Sequence, residues 1–203
     1  MSEVYAQHHH FTVHDYLALE AETGIKHEFL AGQVWAMAGG SREHALYAAN
    51  VTASLAVLLR GKRCAVHSAD LRICVKATGL LTYADATVIC GSVEMDPNDP
   101  KKHTVLNPRV VVEVLSPSTE DYDRGEKPGS YKTIRSLQEV VLVAHDRREV
   151  EVVRRERDGS WSRHIAVAGG ELTLAAIGRD LAVDDIYRDP LAKARRRART
   201  RAR

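Results

Sequence analysis

The chain has 203 residues, enough for one domain, and its 44% hydrophobic and 28% charged content is typical of a folded soluble protein. No apolar run approaches the roughly 18 residues that a membrane-spanning helix needs. Residues 1–10 also lack the apolar segment of a signal peptide, so we expect a cytoplasmic protein with no membrane partner.

The charge is distributed unevenly along the chain. The net charge is +2, and residues 193–203 hold one Lys and six Arg, which leaves −5 over residues 1–192. We therefore expect an N-terminal arm over residues 1–11, a folded domain over 12–188 and a basic, disordered tail over 189–203. Such a tail can bind phosphates without reading base sequence, although a solvated tail with no specific partner is an equal alternative. The candidate nucleic-acid contacts are Arg195, Arg196 and Arg197.

The first predicted elements are a helix and a hairpin. Thr12, with Asp15 three residues later, has the spacing of a capping box, and Gly24 marks the helix end. Residues 26–30 and 33–37 then predict a β-hairpin.

A long helix is predicted over residues 41–59, with Ser41 as its N-cap. Because apolar residues cover most of its circumference, we expect it to be buried or central. His44 begins one apolar stripe, where a lone His is more often a satisfied core residue than a ligand.

The rest of the domain reads as strands around one crossover helix. The Val-rich run at 110–115 is typical of a central strand buried on both faces. A strand–helix–strand crossover after a meander predicts an α/β fold with a mixed sheet. Strands are predicted at 64–68, 70–76, 81–90, 110–115, 140–144, 149–155 and 160–167, with a long loop at 91–108 and a helix near Pro128.

The three cysteines, Cys64, Cys74 and Cys90, fall in these strand-like runs and lack CxxC spacing. We interpret them as small buried residues rather than zinc ligands.

Two predicted strand regions each carry one carboxylate, Asp85 and Glu113. A carboxylate inside a packed sheet is costly unless it is paired or binds a cation. Two of them on neighbouring strands indicate a metal site. The alternative is structural: each carboxylate caps a loop, or pairs with Arg109 or Arg72.

The order of elements resembles the restriction-endonuclease-like superfamily, whose signature is PD followed by (D/E)xK. Several stretches also resemble the Uma-type putative restriction endonuclease family, over about residues 12 to 188. The resemblance implies a restriction-endonuclease-like core of helix, mixed central sheet and crossover helix, with an added N-terminal helix and hairpin and a C-terminal β-hairpin. The stretches are HEFLAGQVWAMAGGSREHA, SADLRICV, YADATV, NPRVVVEVLSPSTEDYDRGEKPGSY and LVAHDRREVEVVRR.

The resemblance also implies a set of site residues. Asp85 matches the Asp of PD, and Glu113 matches the acid of (D/E)xK. Leu115 stands at the usual Lys position, and the family displaces that Lys to the following helix, which indicates Lys127. The alternative cations are Lys132 and Lys76, and the implied supporting residues are Glu28, His44 and Asp70.

The implied activity is hydrolysis of phosphodiester bonds in nucleic acid, with DNA expected. Asp85, Glu113 and the backbone carbonyl of Val114 are the implied ligands of Mg²⁺ or Mn²⁺, cations that prefer oxygen donors.

Three other functions remain open at this point. The chain could be a non-catalytic nucleic-acid-binding module, or an interaction protein forming a homodimer through its hairpins. A histidine-based zinc hydrolase is a weaker alternative, because no HxH or HExxH spacing occurs outside residues 8–10.

Overall fold

The computed structural model describes residues 10–37, 39–117 and 120–192. The basic segment 193–203, which includes Arg195, Arg196 and Arg197, lies outside the described residues. No helix in the described ranges is long and apolar enough to cross a membrane. The helices are α1 (Val13–Thr23), α2 (Arg42–Leu58), α3 (Glu120–Arg124), α4 (Glu126–Tyr131) and α5 (Val183–Ile186). The strands are β1 (His27–Leu30), β2 (Gln33–Ala36), β3 (Cys64–Ser68), β4 (Arg72–Val75), β5 (Leu80–Tyr83), β6 (Ala86–Cys90), β7 (Thr104–Val105), β8 (Val110–Val114), β9 (Glu139–Val143), β10 (Glu149–Arg155), β11 (Trp161–Val167), β12 (Glu171–Leu174) and β13 (Arg179–Ala182).

The strands form two large sheets and one small one. The five-stranded sheet has the order β2-β1-β5-β4-β7, and the six-stranded sheet has the order β11-β10-β9-β8-β6-β3. Strands β12 and β13 pair with each other. Each large sheet contains one parallel pair, β8 with β9 in one and β4 with β7 in the other, and its remaining pairs are antiparallel. The expectation of an α/β fold with mixed sheets is therefore confirmed.

The single strand predicted over 81–90 is wrong, because the chain leaves one sheet and enters the other at Ala84 and Asp85. Strand β5 belongs to the five-stranded sheet and β6 to the six-stranded sheet. Residues on both sides of the break are apolar and buried, so the hydrophobic pattern alone does not reveal it. The break places Asp85 at the junction of the two sheets.

Local sequence signals at the N-terminal end are confirmed. Thr12 and Asp15 form the predicted capping box, and Gly24 ends α1 in the left-handed conformation, with φ 68°. The hairpin turns at Ala31 and Gly32, with φ 51° and 82°, the positive angles of a tight two-residue turn.

Helix α2 is less buried than its composition predicts. It begins after Ser41, as expected, and Val51 and Leu55 are fully buried. Its alanine stripe faces solvent, however, and Val57 is 56% exposed. The helix packs one face on the six-stranded sheet, and alanine tolerates the solvent side because it has little surface to bury. The exposed alanines are Ala45, Ala49, Ala53 and Ala56.

Strand β8 is the centre of the molecule, as its Val-rich sequence predicts. All five of its residues are buried. Val112 and Val114 pack toward α2 in one apolar core, and Val111 packs in a second core that also contains Ile73 and Leu80 of the five-stranded sheet. The two sheets therefore enclose the second core between them.

Cys64 and Cys90 form a disulfide, so the interpretation of all three cysteines as small buried residues is wrong for this pair. The antiparallel register of β3 and β6 places them directly opposite each other, with their Cα atoms 4.0 Å apart. Register is not visible in cysteine spacing, which explains the miss. Cys74 is a free thiol.

Candidate active site

Five of the residues named from the sequence come from separate elements to one end of strand β8. Asp85 lies in the link between β5 and β6, and Glu113 is the fourth residue of β8. Lys127 is the second residue of α4, Glu28 is in β1, and His44 is in the first turn of α2. Because four different elements and a link supply them, the group depends on the tertiary fold.

Asp85 is held by a backbone amide and a histidine. The Val114 N–H donates to its Oδ2 atom at 2.7 Å, and Nε2 of His44 lies 3.4 Å from the same oxygen. The hydrogen bond to Asp85 raises the pKa of His44, and burial opposes this effect in part. His44 therefore contacts the site carboxylate directly, and its imidazolium form is stabilised there.

Glu113 is a buried carboxylate with two strong partners. Its residue is 4% exposed, and its Oε1 atom accepts a hydrogen bond from the Tyr131 hydroxyl at 2.7 Å. Nζ of Lys127 lies 3.0 Å from the same oxygen. Burial raises the pKa of Glu113 above its usual value and the charge of Asp85 adds to the rise, whereas the charge of Lys127 lowers it and favours the ionised form.

Lys127 carries a positive charge into this buried position. Burial alone would lower its pKa, but the nearby carboxylates outweigh burial and raise it. Nζ lies 3.7 Å from Oε2 of Glu28 and 3.8 Å from Oδ1 of Asp123, and it donates to the Tyr83 carbonyl at 3.5 Å. Lys127 therefore contacts Glu113, as the hypothesis of a displaced Lys requires, and its catalytic role stays a prediction.

Glu28 closes the same cluster from the five-stranded sheet. Its Oε2 atom accepts a hydrogen bond from Thr82 Oγ1 at 2.5 Å, and its Oε1 atom accepts one from the Tyr122 hydroxyl. Four carboxylates, one lysine and several hydroxyls are thus packed together at the junction of the two sheets. Such a density of ionisable groups, with shifted pKa values at Glu113, Lys127 and His44, is typical of an active site.

Comparisons with known proteins identify the family of this chain. The model of the Uma2 family, described as "Putative restriction endonuclease", matches residues 13–184. This chain belongs to the Uma2 family. The sequence resemblance described above is thereby confirmed.

Relatives of the Uma2 chain are found in Synechocystis. It is 37% identical to the uncharacterized protein slr1290 over 175 residues, which cover 86% of this chain and 90% of the relative. It is 29% identical to the uncharacterized protein sll1609 over 150 residues, covering 74% and 84% of the two chains.

A solved structure shares the fold. It is a putative nuclease of the DUF820 family from Anabaena variabilis, with a TM-score of 0.66, 14% identity, and coverage of 85% of this chain and 97% of that one. Family and fold together support a nuclease-type, hydrolytic function for the Uma2 chain.

Asp70, the remaining residue named from the resemblance, lies apart from the described contacts of the cluster. Its side chain is 83% exposed and forms an ion pair with Lys26. This pair lowers the pKa of Asp70. A supporting role for Asp70 stays a prediction.

The structural alternative, in which Asp85 or Glu113 pairs with Arg72, is wrong. Arg72 is buried on the outer face of the five-stranded sheet, where it pairs with Glu20 and Asp99. This face carries a groove of about 1010 Å³ between α1 and residues 96–103. Among the described residues, Arg109 also forms no ion pair with Asp85 or Glu113.

Three further residues belong to the cluster and were not predicted from the sequence: Tyr122, Asp123 and Tyr131. Asp123, Lys127 and Tyr131 are spaced four residues apart, the spacing that places side chains on one face of a helix. That periodicity was visible in the sequence. The break between α3 and α4 at Gly125 obscures it, because the two short helices do not form one continuous pattern.

The oxygen donors of the cluster match the expected metal better than a zinc ion. Within the described ranges, no group of three His, Cys, Asp or Glu side chains is arranged to hold a metal ion. Two carboxylates, Asp85 and Glu113, still present oxygen donors at the sheet junction, next to the backbone of Val114. Mg²⁺ prefers oxygen ligands, keeps several waters and is often held by only one or two carboxylates. The residues therefore fit Mg²⁺ or Mn²⁺, and they do not fit a zinc site built from His and Cys.

Proposed function

We propose that this Uma2 chain is a metal-dependent endonuclease that hydrolyses phosphodiester bonds in DNA. The observation that carries the proposal is the position of Lys127, whose Nζ lies 3.0 Å from Glu113 even though Leu115 occupies the usual Lys position. A buried lysine held among three carboxylates is costly to a fold, and its presence beside two candidate metal ligands favours catalysis over a purely structural role.

Asp85, Glu113 and the Val114 carbonyl would hold Mg²⁺ or Mn²⁺. When bound, the cation supplies Lewis-acid polarisation of the phosphoryl group and an acidified water. The protein keeps these donors in place: the Val114 N–H and His44 fix Asp85, and the Tyr131 hydroxyl fixes Glu113.

Lys127 supplies a permanent positive charge at the site. Since the surrounding carboxylates raise its pKa, it remains protonated at neutral pH and cannot act as a general base. Its role in the proposal is to orient the attacking water by hydrogen bonding, or to stabilise negative charge that grows on the phosphate oxygens. Glu28 and Asp123 hold the ammonium group in position.

The segment 193–203 is proposed to contact phosphates through Arg195, Arg196 and Arg197, without base specificity. Deleting residues 193–203 is expected to weaken binding of all DNA sequences alike and to reduce its salt dependence. Cleavage of bound DNA should persist, because the site residues lie in the folded domain.

The experiment compares wild type with Asp85→Asn and Glu113→Gln, and uses Asp158→Asn as a matched control in the exposed turn between β10 and β11. Plasmid cleavage is measured with Mg²⁺, Mn²⁺ or EDTA, and thermal unfolding is measured with and without Mn²⁺.

Wild type and Asp158→Asn should cleave DNA only with metal and should be stabilised by Mn²⁺, since a ligand that binds the native state raises its stability. Asp85→Asn and Glu113→Gln should remain folded, lose cleavage by at least about a hundredfold and lose the Mn²⁺ response. Full activity in either site variant would overturn the assignment.

A further inference from the structure

Trp35 is a large aromatic side chain exposed beside the candidate active site. It is 47% exposed and lies on β2, the edge strand of the five-stranded sheet. Burying an aromatic ring is strongly favourable, so an exposed one next to a reactive cluster is a candidate binding surface. Its neighbour Met37 is also exposed, at 36%.

The hairpin register fixes which way Trp35 faces. Trp35 is directly opposite Glu28 in the antiparallel pair of β1 and β2. Side chains opposite each other lie on the same face of a sheet, with Cβ atoms roughly 5 Å apart. Glu28 points into the cluster, where its carboxylate lies 3.7 Å from Nζ of Lys127. The Trp35 side chain is therefore on the active-site face of the sheet.

The two tryptophans of the chain have different surroundings. Trp161 is covered by two cations, with Arg155 at 4.8 Å and Lys132 at 5.7 Å from its ring centre. In the described part of the chain, no cation or aromatic ring is stacked on Trp35. Because 47% of the Trp35 surface is exposed, part of the residue is accessible to a ligand.

We propose that Trp35 is a stacking platform for an unpaired nucleobase adjacent to the scissile phosphate, which makes single-stranded DNA the preferred substrate. This inference rests on the proposed nuclease function and specifies its substrate class. Bases in a duplex are stacked on each other and do not present a free face, whereas an unpaired base can stack on an aromatic side chain. Any base can do so, so the platform gives no sequence preference.

A second copy of this chain is the competing occupant, because an exposed edge strand with apolar residues can pair with another edge. The position of Trp35 beside Glu28, on the face that carries the reactive groups, favours substrate.

The first measurement uses tryptophan fluorescence. In Trp161→Phe the only tryptophan is Trp35, and in Trp35→Phe the only one is Trp161. Both changes are made in the full-length Asp85→Asn background, in EDTA, so that cleavage cannot occur. The probes are an oligothymidylate of about 15 nucleotides, within the range of single-strand sites, and a duplex of equal length.

We expect the oligothymidylate to quench Trp35 strongly, the duplex to quench it weakly, and neither to change Trp161. Unchanged Trp35 fluorescence at saturating oligothymidylate, equal quenching by the two probes, or no binding at all would each overturn the proposal.

The second measurement uses steady-state cleavage by the metal-loaded full chain. Trp35→Ala should raise KM for single-stranded DNA about tenfold, the typical loss of one base–aromatic stack, with kcat within about twofold of wild type. Trp35→Tyr should restore most of the KM, since it keeps an aromatic face. Sedimentation of each variant is measured in parallel. If Trp35→Ala converts a dimer to a monomer without raising KM, the proposal is wrong.

The two proposals fail differently. If the wild-type protein shows no metal-dependent cleavage, the nuclease function is rejected, while the fluorescence result still stands. Normal cleavage that is insensitive to Trp35 would reject only the stacking platform.

Discussion

Lys127 and Glu113 form a buried ion pair, with 3.0 Å between Nζ and Oε1 and side chains that are 5% and 6% exposed. Lys127 comes from a short helix and Glu113 from the central strand, so the pair joins the crossover segment to the core of the molecule. Removing one member of such a pair leaves the other charge buried without its partner.

Lys127→Met should therefore destabilise the protein by about 3 kcal/mol, the usual cost of breaking a buried pair. Urea unfolding measures the change. The double variant Lys127→Met/Glu113→Gln should recover at least half of the loss, because a neutral amide needs no counter-charge. Lys132→Met is the control, because it removes a lysine that lies over the partly exposed ring of Trp161 instead of in the buried cluster. A double variant no more stable than the single one would contradict the importance of the pair.

The disulfide should contribute substantially to stability. It closes a loop with a sequence separation of 26 residues, for which chain entropy predicts a contribution of about 3.5 kcal/mol. Reductant should lower the urea midpoint of wild type and of Cys74→Ser by similar amounts. Cys64→Ser should have the urea midpoint of reduced wild type, and reductant should not change it. Equal midpoints for oxidised and reduced wild type would show that the bond adds nothing.

Glu151 should stabilise the folded protein at neutral pH, and this contribution should be lost in acid. Burial alone would raise the pKa of Glu151, but hydrogen bonds from Arg163 and Arg124 outweigh it and lower the pKa below its usual value. The folded state thus favours the ionised form. Its stabilising contribution is present above the unfolded-state pKa of about 4.3 and is lost as pH falls through the lower folded-state value.

The measurement is urea unfolding of wild type and Glu151→Gln between pH 3 and 7. The stability difference between them should be largest at neutral pH and should shrink in acid. Arg163→Gln removes one partner and brings the folded-state pKa of Glu151 closer to the unfolded-state value, so the acid loss of stability should be smaller than in wild type and should be complete at a higher pH. Parallel curves for wild type and Glu151→Gln would contradict the prediction. The ion pair between Arg124 and Glu151 has a second effect. Because Arg124 lies in α3 beside Tyr122 and Asp123, the pair also anchors the helix that supports the cluster.

Much of the local structure could be predicted from the sequence. The capping box at Thr12, the turn at Ala31 and Gly32 and the Ser41 N-cap follow from residue chemistry within a few positions. The core position of β8 follows from its valines. These signals are local, and tertiary context did not override them.

The break at Asp85 and the disulfide could not be predicted in the same way. Both depend on which strands pair and in what register, and buried strands on either side of a break have the same apolar composition. The exposed face of α2 was missed because alanine is compatible with both core and solvent.

The site could be predicted in part. The two carboxylates in apolar runs indicated an unusual centre, and the family resemblance added Lys127, Glu28 and His44, which the fold brings together. Their roles stay predictions. The hydroxyl of Tyr131 was missed, because a buried tyrosine in sequence looks like ordinary core.

The junction between the sheets has an evolutionary consequence. Glu28 is attached to the five-stranded sheet and Glu113 to the six-stranded sheet, so the thickness of the apolar layer between the sheets sets their separation. Ile73, Leu80 and Val111 lie in that layer, and none of them carries a reactive group. Selection for the proposed activity would therefore act on these hydrocarbon side chains as well. Substitutions that change their volume would move the reactive groups relative to each other, besides costing stability.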